Sequence, residues 1–276
     1  MRLYAFADEA SPMIDGQIAA MKRNGLQGLE MRNVDGVNVS EISLEKAKEV
    51  KAKLDAAGLV CWSIGSPLGK VDIHTDFNAY LEKCRHTYEI AKIMGTTRIR
   101  MFSFHLPQDA DPDAYEAEVI DKLSQMLALA KEYGVTLCHE NEKGIFGDTA
   151  ARCKRLLDAL PELACVFDPA NFIQVGQDTL AGFELLKDRL NYMHIKDCFA
   201  DGSVVPAGKG IGNLPYILEQ CKELGVEDLT IEPHLAVFAG LDALEREGQT
   251  SKVGGYAYPD ADAAFDAACN ALKEII

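Results

Sequence analysis

The chain has no run of about 20 apolar residues, so nothing in it is expected to span a membrane. Its first residues, Met-Arg-Leu-Tyr-Ala-Phe-Ala-Asp-Glu-Ala-Ser-Pro, lack a basic segment leading into an apolar core. No secretory leader is therefore expected, and the cytoplasm is the default location. No C-x-x-C pair occurs among the eight cysteines, Cys61, Cys84, Cys138, Cys153, Cys165, Cys198, Cys221 and Cys269, which argues against a thiolate zinc cluster. Cys138 and Cys165 lie inside apolar runs and read as buried thiols of a reducing compartment. Positive charge is scarce: 28 Lys and Arg stand against 43 Asp and Glu, a formal net charge of −15. That balance repels a phosphate backbone, so no nucleic acid partner is expected. The first apolar run leads into Ala-Asp-Glu-Ala-Ser-Pro, with no Gly-rich turn of the kind that marks a dinucleotide-binding doubly wound sheet. No linker, low-complexity segment or change of composition divides the 276 residues, which predicts one domain over residues 1–276.

What is present is alternation. Short β-type runs fall at residues 3–7, 28–32, 59–65, 98–102, 135–140, 164–168, 192–196 and 229–232. Helical stretches fall between and after them, at 11–24, 43–57, 77–94, 112–133, 148–160, 179–187, 214–224 and 261–275. Ser43 and Asp148 read as helix starts, and Gly25, Gly58, Gly95, Gly134 and Gly225 as left-handed helix stops. Eight such units predict an α/β fold, a (β/α)8 TIM barrel. Residues 239–260 form an insert after the last strand and read as a loop or lid.

Four metal-type side chains end four successive runs in the second half of the chain: Glu140, Asp168, His194 and Glu232. Parallel strands closed into a barrel direct all their carboxyl ends to one mouth, where these four can meet. Alternation places Glu140 on one face with Thr136 and Cys138, and His139 on the opposite, helix-packed face. Three carboxylates and one imidazole form an oxygen-rich donor set that suits Mn²⁺, with Mg²⁺, Co²⁺ or Zn²⁺ compatible. A divalent ion holding a carbonyl and the neighbouring hydroxyl acidifies the hydrogen on the carbon between them. Glu140 and Glu232, on the fifth and eighth strands, are then candidates to take and return that proton. Return to the same carbon from the other face gives an epimerase, and return to the next carbon an isomerase.

The segments His-Glu-Asn-Glu at 139–142, Phe-Asp-Pro-Ala-Asn at 167–171, Met-His-Ile-Lys-Asp at 193–197 and Ile-Glu-Pro at 231–233 resemble the xylose-isomerase-like TIM-barrel superfamily, and within it the sugar phosphate isomerase/epimerase group. The likeness runs the length of the chain, including Gly-Leu-Glu-Met-Arg at 28–32. It implies a single ion on Glu140, Asp168, His194 and Glu232, with Glu140 and Glu232 exchanging the proton of a small sugar or related polyhydroxy carbonyl compound. Two departures touch the substrate. Ketose 3-epimerases of the superfamily usually carry His three residues after the metal Asp, where this chain has Asn171. They also carry Arg six residues after the metal His, where it has Ala200. An inosose-type dehydratase using the same metal site is the alternative. The superfamily's apurinic endonucleases use three zinc ions and many His ligands. Ser66, and Arg100 or Phe102, stand here where such ligands would be, so a hydrolase of that kind is disfavoured.

Other residues have two readings each. Lys196 shares the His194 face and is either a substrate group or a salt bridge to Asp197 or Glu232. Arg32 and Arg100 read as substrate clamps or as buried partners of Glu30, and Lys70 and Asn171 as further substrate contacts. Glu142 competes with Glu140 but sits closer to the loop ending at Gly144. The run Gly-Lys-Gly-Ile-Gly at 208–212 offers backbone N–H groups to an anion. Trp62, Phe102 and Phe104 read as core, or else as faces that stack on a sugar. Barrels of this kind often associate, which makes a homo-oligomer an expectation as well.

Overall fold

The computed structural model describes residues 1–238, 252–253 and 256–276. Eight strands form a closed barrel: β1 (Arg2–Ala5), β2 (Gly28–Met31), β3 (Val60–Gly65), β4 (Arg98–Met101), β5 (Thr136–Glu140), β6 (Ala164–Phe167), β7 (Leu190–Ile195) and β8 (Asp228–Ile231). Each pairs in parallel with its sequence neighbours, and β1 closes the ring on β8 with Arg2 opposite Asp228 and Ala5 opposite Ile231. This is the (β/α)8 TIM barrel that the alternation predicts. All eight carboxyl ends therefore open on one mouth.

Around the barrel lie α1 (Ile14–Arg23), α2 (Leu44–Ala57), α3 (Phe77–Met94), α4 (Glu116–Tyr133), α5 (Ala150–Ala159), α6 (Pro169–Gln174), α7 (Thr179–Leu186), α8 (Leu214–Leu224) and α9 (Ala261–Lys273). Each long helix buries one stripe. In α3 it runs through Cys84, Tyr88 and Ala91, spaced four and three residues apart, and in α8 through Leu214, Ile217, Leu218 and Cys221. The helix stops are as expected: α2, α3, α4 and α8 end on Gly58, Gly95, Gly134 and Gly225, all left-handed. Among the described residues no helix is long and apolar enough to cross a membrane.

Four details differ from the expected pattern. Asp168 and Glu232 lie one residue beyond their strands rather than in them. Asp168 has left the ladder to cap α6, its Oδ1 accepting from Asn171 N at 2.9 Å. α5 is capped by Thr149, not Asp148, whose carboxylate instead pairs with the Arg152 guanidinium. α1 starts at Ile14 rather than Ser11, because residues 7–9 form a 3-10 turn that buries Asp8 and Glu9. Of the expected insert, residues 239–251 and 254–255 lie outside the described residues. Lys252–Val253 pairs with Ser203–Val204 in a small sheet completed by Asp197–Cys198.

The barrel interior beneath the mouth is packed with Cys138, Val166 and Tyr192, with Trp62 against them. Trp62 stacks on Tyr4 at 4.4 Å and meets Tyr192 edge-on at 5.9 Å. Phe102 and Phe104 are buried. At the end of β3 the chain turns through Gly69, with φ +82°. A Cβ there would fall 2.0 Å from the Phe102 carbonyl oxygen. Gly69→Ala is therefore expected to cost about 2–4 kcal/mol, from left-handed strain plus a backbone clash that no rotamer relieves. Urea unfolding measures it; a cost below about 0.5 kcal/mol, the range of a neutral surface change, would contradict this account.

Candidate metal centre

Alternation in β5 turns Cys138 and Glu140 into the barrel and Leu137 and His139 toward the helices. His139 is buried, its Nε2 2.9 Å from Ser103 Oγ, and burial lowers its pKa to about 4. Glu140 is 1% exposed, Asp168 and His194 are fully buried, and Glu232 is 4% exposed. One donor atom from each of these four lies within 4.8 Å of every other. Opposite ligands of an ion with ~2.1 Å bonds stand about 4.2 Å apart, so small side-chain rotations gather them.

The two ring nitrogens of His194 have different surroundings. Nε2 is 3.1 Å from Glu30 Oε2, while Nδ1 is 3.0 Å from Glu140 Oε1 and 3.4 Å from Glu232 Oε2. An Nε2–H donated to Glu30 leaves Nδ1 for the centre, an arrangement that raises the basicity of a metal-binding imidazole. Glu30 is held in turn by Tyr192 Oη, which donates to Oε1 at 2.7 Å. Each glutamate at the centre keeps one oxygen on a guanidinium. Arg100 Nη1 donates to Glu140 Oε2 at 2.9 Å and its Nη2 to the Gly65 carbonyl at 2.9 Å; Arg32 Nη1 donates to Glu232 Oε1 at 3.2 Å. The remaining oxygens, Glu140 Oε1 and Glu232 Oε2, are those nearest His194 Nδ1.

The charge states follow. Burial works against ionisation of Glu140, but His194 and Arg100 outweigh it and hold the carboxyl at about 2. Burial works against ionisation of Glu232 too, but Lys196 and His194 outweigh it and hold the carboxyl well below the usual range. Asp168 goes the other way, to about 7, because burial outweighs Lys196 and the neighbouring Glu232 and Glu140 add repulsion. Its Oδ2 has no hydrogen bond, although the Lys196 ammonium lies 2.9 Å away at an unfavourable angle. An acceptor oxygen left unsatisfied at the heart of a buried carboxylate–imidazole cluster fits a site made for a cation. The structure thus contains a buried cluster able to hold a metal ion.

The remaining expected residues are distributed as follows. Lys196 is buried between Asp168 and Glu232, 3.2 Å from Glu232 Oε2. Asn171 bridges two of the four, its N–H on Asp168 Oδ1 and its Nδ2 3.2 Å from Glu140 Oε1. Lys70 sits at the rim, 2.9 Å from Glu142 Oε2, and Glu142 is not one of the four clustered donors. Neither Arg32 nor Arg100 is hydrogen-bonded to Glu30, contrary to the paired alternative read from sequence. Arg32 is held by Asp8 and Glu9 besides Glu232. The glycine run 208–212 does bind an anion, but it is the chain's own: Gly208, Gly210 and Gly212 donate their N–H groups to the Asp197 carboxylate. Glu9, Glu232 and His234 form a second carboxylate–imidazole group. The Arg32 guanidinium already supplies its positive charge, 3.0 Å from Glu9 Oε1.

Asp8, Glu9 and Asn141 went unread in the sequence, and Glu30 was read only as an arginine partner. Glu30 had a usable signal, a carboxylate inside an apolar strand. Glu30→Gln is expected to weaken metal affinity about 10–100-fold by releasing the His194 ring. A competition titration with a chromophoric chelator reads it, and an unchanged affinity would remove Glu30 from this role.

The sequence profile described as xylose isomerase-like TIM barrel matches residues 18–247. The chain belongs to that family. No curated protein sequence matches it. Solved structures of the same architecture include the probable 3-DHS dehydratase AsbF of Bacillus anthracis, at 17% identity and TM-score 0.74 over 99% of each chain. An IOLI protein structure holding a zinc atom is 16% identical, with TM-score 0.76 over 100% of this chain and 98% of that one. The D-allulose 3-epimerase of a Methylomonas species is 15% identical, with TM-score 0.75 over 100% and 98%. At these identities the likeness is one of fold. In enzymes of this fold the barrel mouth is where residues from separate strand ends form an active site.

Proposed function

We propose that this xylose isomerase-like barrel is a divalent-metal-dependent isomerase or epimerase of a small sugar or related polyhydroxy carbonyl compound. The observation that carries the reading is the convergence of Glu140, Asp168, His194 and Glu232 to within 4.8 Å at the mouth. These four residues are the proposed ligands, and Mn²⁺ suits their donors best. When bound, the ion supplies Lewis-acid polarisation of the substrate carbonyl. The chain's own residues do the rest. Glu140 and Glu232 approach from β5 and β8 and are the proposed acceptor and donor of the carbon-bound proton. Arg100 and Arg32 fix their orientation. Lys196 offers an N–H to an oxygen gaining negative charge, and Asn171 keeps Asp168 and Glu140 in register. Burial of the cluster strengthens each of these contacts.

Incubation of the metal-loaded chain with a panel of ketoses and inososes in D₂O tests the reading. Deuterium on the carbon beside the carbonyl, lost on chelation and restored by Mn²⁺, is the expected result. No exchange with any member, with metal bound, would overturn it. The buried ammonium of Lys196 beside Asp168 and Glu232 also favours a second outcome, loss of water from an inosose-like ketone, because it can protonate a departing hydroxyl. Mass spectrometry of the same incubations separates the two, since dehydration removes one water and isomerisation none.

A further inference from the structure

We infer that this site takes an uncharged polyhydroxy carbonyl compound and rejects its phosphate ester; the inference rests on the proposed function and narrows its substrate. The commonest phosphate position of a TIM barrel lies in the loops after strands 7 and 8 and the helix start beside them. Of that position, the loop after β7 carries the glycine run 208–212, just before α8. Its anion cradle is complete, and the chain itself fills it. Gly208 N and Gly210 N donate to Asp197 Oδ2 at 2.9 and 3.0 Å, and Gly212 N donates to Oδ1 at 2.9 Å. Cys198 N adds a fourth donor to Oδ1 at 2.9 Å. The fit is close: a Cβ on Gly210 would fall 2.3 Å from Asp197 Oδ1. Asp197 is 1% exposed, so no room for a phosphate remains between carboxylate and loop.

The charges of the mouth agree. Among the described residues its buried cations are Arg32, Arg100 and Lys196, and each lies within 3.2 Å of a carboxylate oxygen. Its buried carboxylates are Asp8, Glu9, Glu30, Glu140, Asp168 and Glu232. At the rim Lys70 is engaged by Glu142. Among these residues every positive charge is already met by a carboxylate, so a dianionic phosphate would find no free cation and would lie beside carboxylates, where a hydroxyl meets hydrogen-bonding partners.

The test uses the metal-loaded full chain and two matched pairs. Deuterium exchange of D-tagatose is expected to exceed that of D-tagatose 6-phosphate by about thirtyfold or more in kcat/KM, the factor expected of one uncompensated charge contact at about 8 Å. Isothermal titration with the unreactive D-glucitol and D-glucitol 6-phosphate gives an answer independent of turnover. Tighter binding of glucitol supports the inference even if no ketose exchanges, in which case the proposed chemistry falls alone. Equal or tighter binding of the ester, or binding of neither, overturns the inference. In Asp197→Ala the emptied cradle is expected to bring the ester within about threefold of the free polyol. A folded variant whose preference is unchanged would remove Asp197 from the explanation and overturn it in this form.

Discussion

Glu232→Gln is expected to lower carbon–proton exchange about 10³–10⁴-fold, the upper range for loss of a positioned acid–base group. The size of the effect follows from what surrounds this side chain. Arg32 and Lys196 lie 3.2 Å from its oxygens, His194 3.4 Å and His234 3.6 Å. Glutamine keeps the shape but removes the charge that these groups share. One of its two ends becomes an NH₂ that must face Arg32 or Lys196, both of which are donors only. The variant therefore loses a proton acceptor and leaves buried cations undercompensated, at a further cost of about 3–5 kcal/mol in stability. Glu232→Asp separates the two losses. It restores the charge, and with it most of the stability, but withdraws the carboxylate by about one methylene, so exchange stays low. Exchange rates and urea unfolding on both variants check this. Exchange within tenfold of the parent in Glu232→Gln would mean that the proton is carried elsewhere.

That experiment can be framed from two residues that the sequence placed well. Glu140 and Glu232 were legible because a parallel strand is buried on both faces, so its apolar run ends abruptly where polar function begins. The same signal marked all eight strands of the barrel, and Asp168 and His194 with them. Where strand ends were misjudged by a residue, local chemistry had intervened, as when Asp168 left the ladder to cap α6. The partners of the four were less legible because closure of the ring creates them. Arg32 finds Glu232 across 200 positions only because β1 seals β2 to β8, and Glu30 finds His194 the same way. Sequence spacing carries no trace of such contacts. The glycine run at 208–212 shows the converse. Its anion-binding character was readable from composition, but its occupant was not. Asp197 becomes the anion only because the chain folds back on itself after β7.

Loading the centre with a divalent ion is expected to release protons, and the pH dependence of affinity should reveal which residues bind it. In the metal-free protein two of the four proposed ligands hold protons near neutrality. Burial opposes the charge on His194, but Glu140 and Glu30 raise its pKa well above the ordinary imidazole value. Burial lifts Asp168 to about 7. Glu140, held at about 2, contributes no proton. A cation must displace the proton on His194 Nδ1 throughout the neutral range, and that on Asp168 only below pH 7. Affinity should therefore rise about tenfold per pH unit above 7 and up to about a hundredfold per unit below it. The metal-free fold behaves in the opposite sense. An aspartate whose folded pKa lies above its unfolded value of 3.8 contributes less to stability as pH rises from about 4 to 7, and the loss is then complete. Saturating metal, at about 1,000 times its dissociation constant, adds about 4 kcal/mol, which for a chain of this size raises Tm by about 8–16 °C. Calorimetric titration with Mn²⁺ in buffers of differing ionisation heat counts the protons, and thermal unfolding with and without chelator measures the stabilisation. An affinity flat between pH 6 and 8, with no proton released, would show that the ion binds without His194 and Asp168.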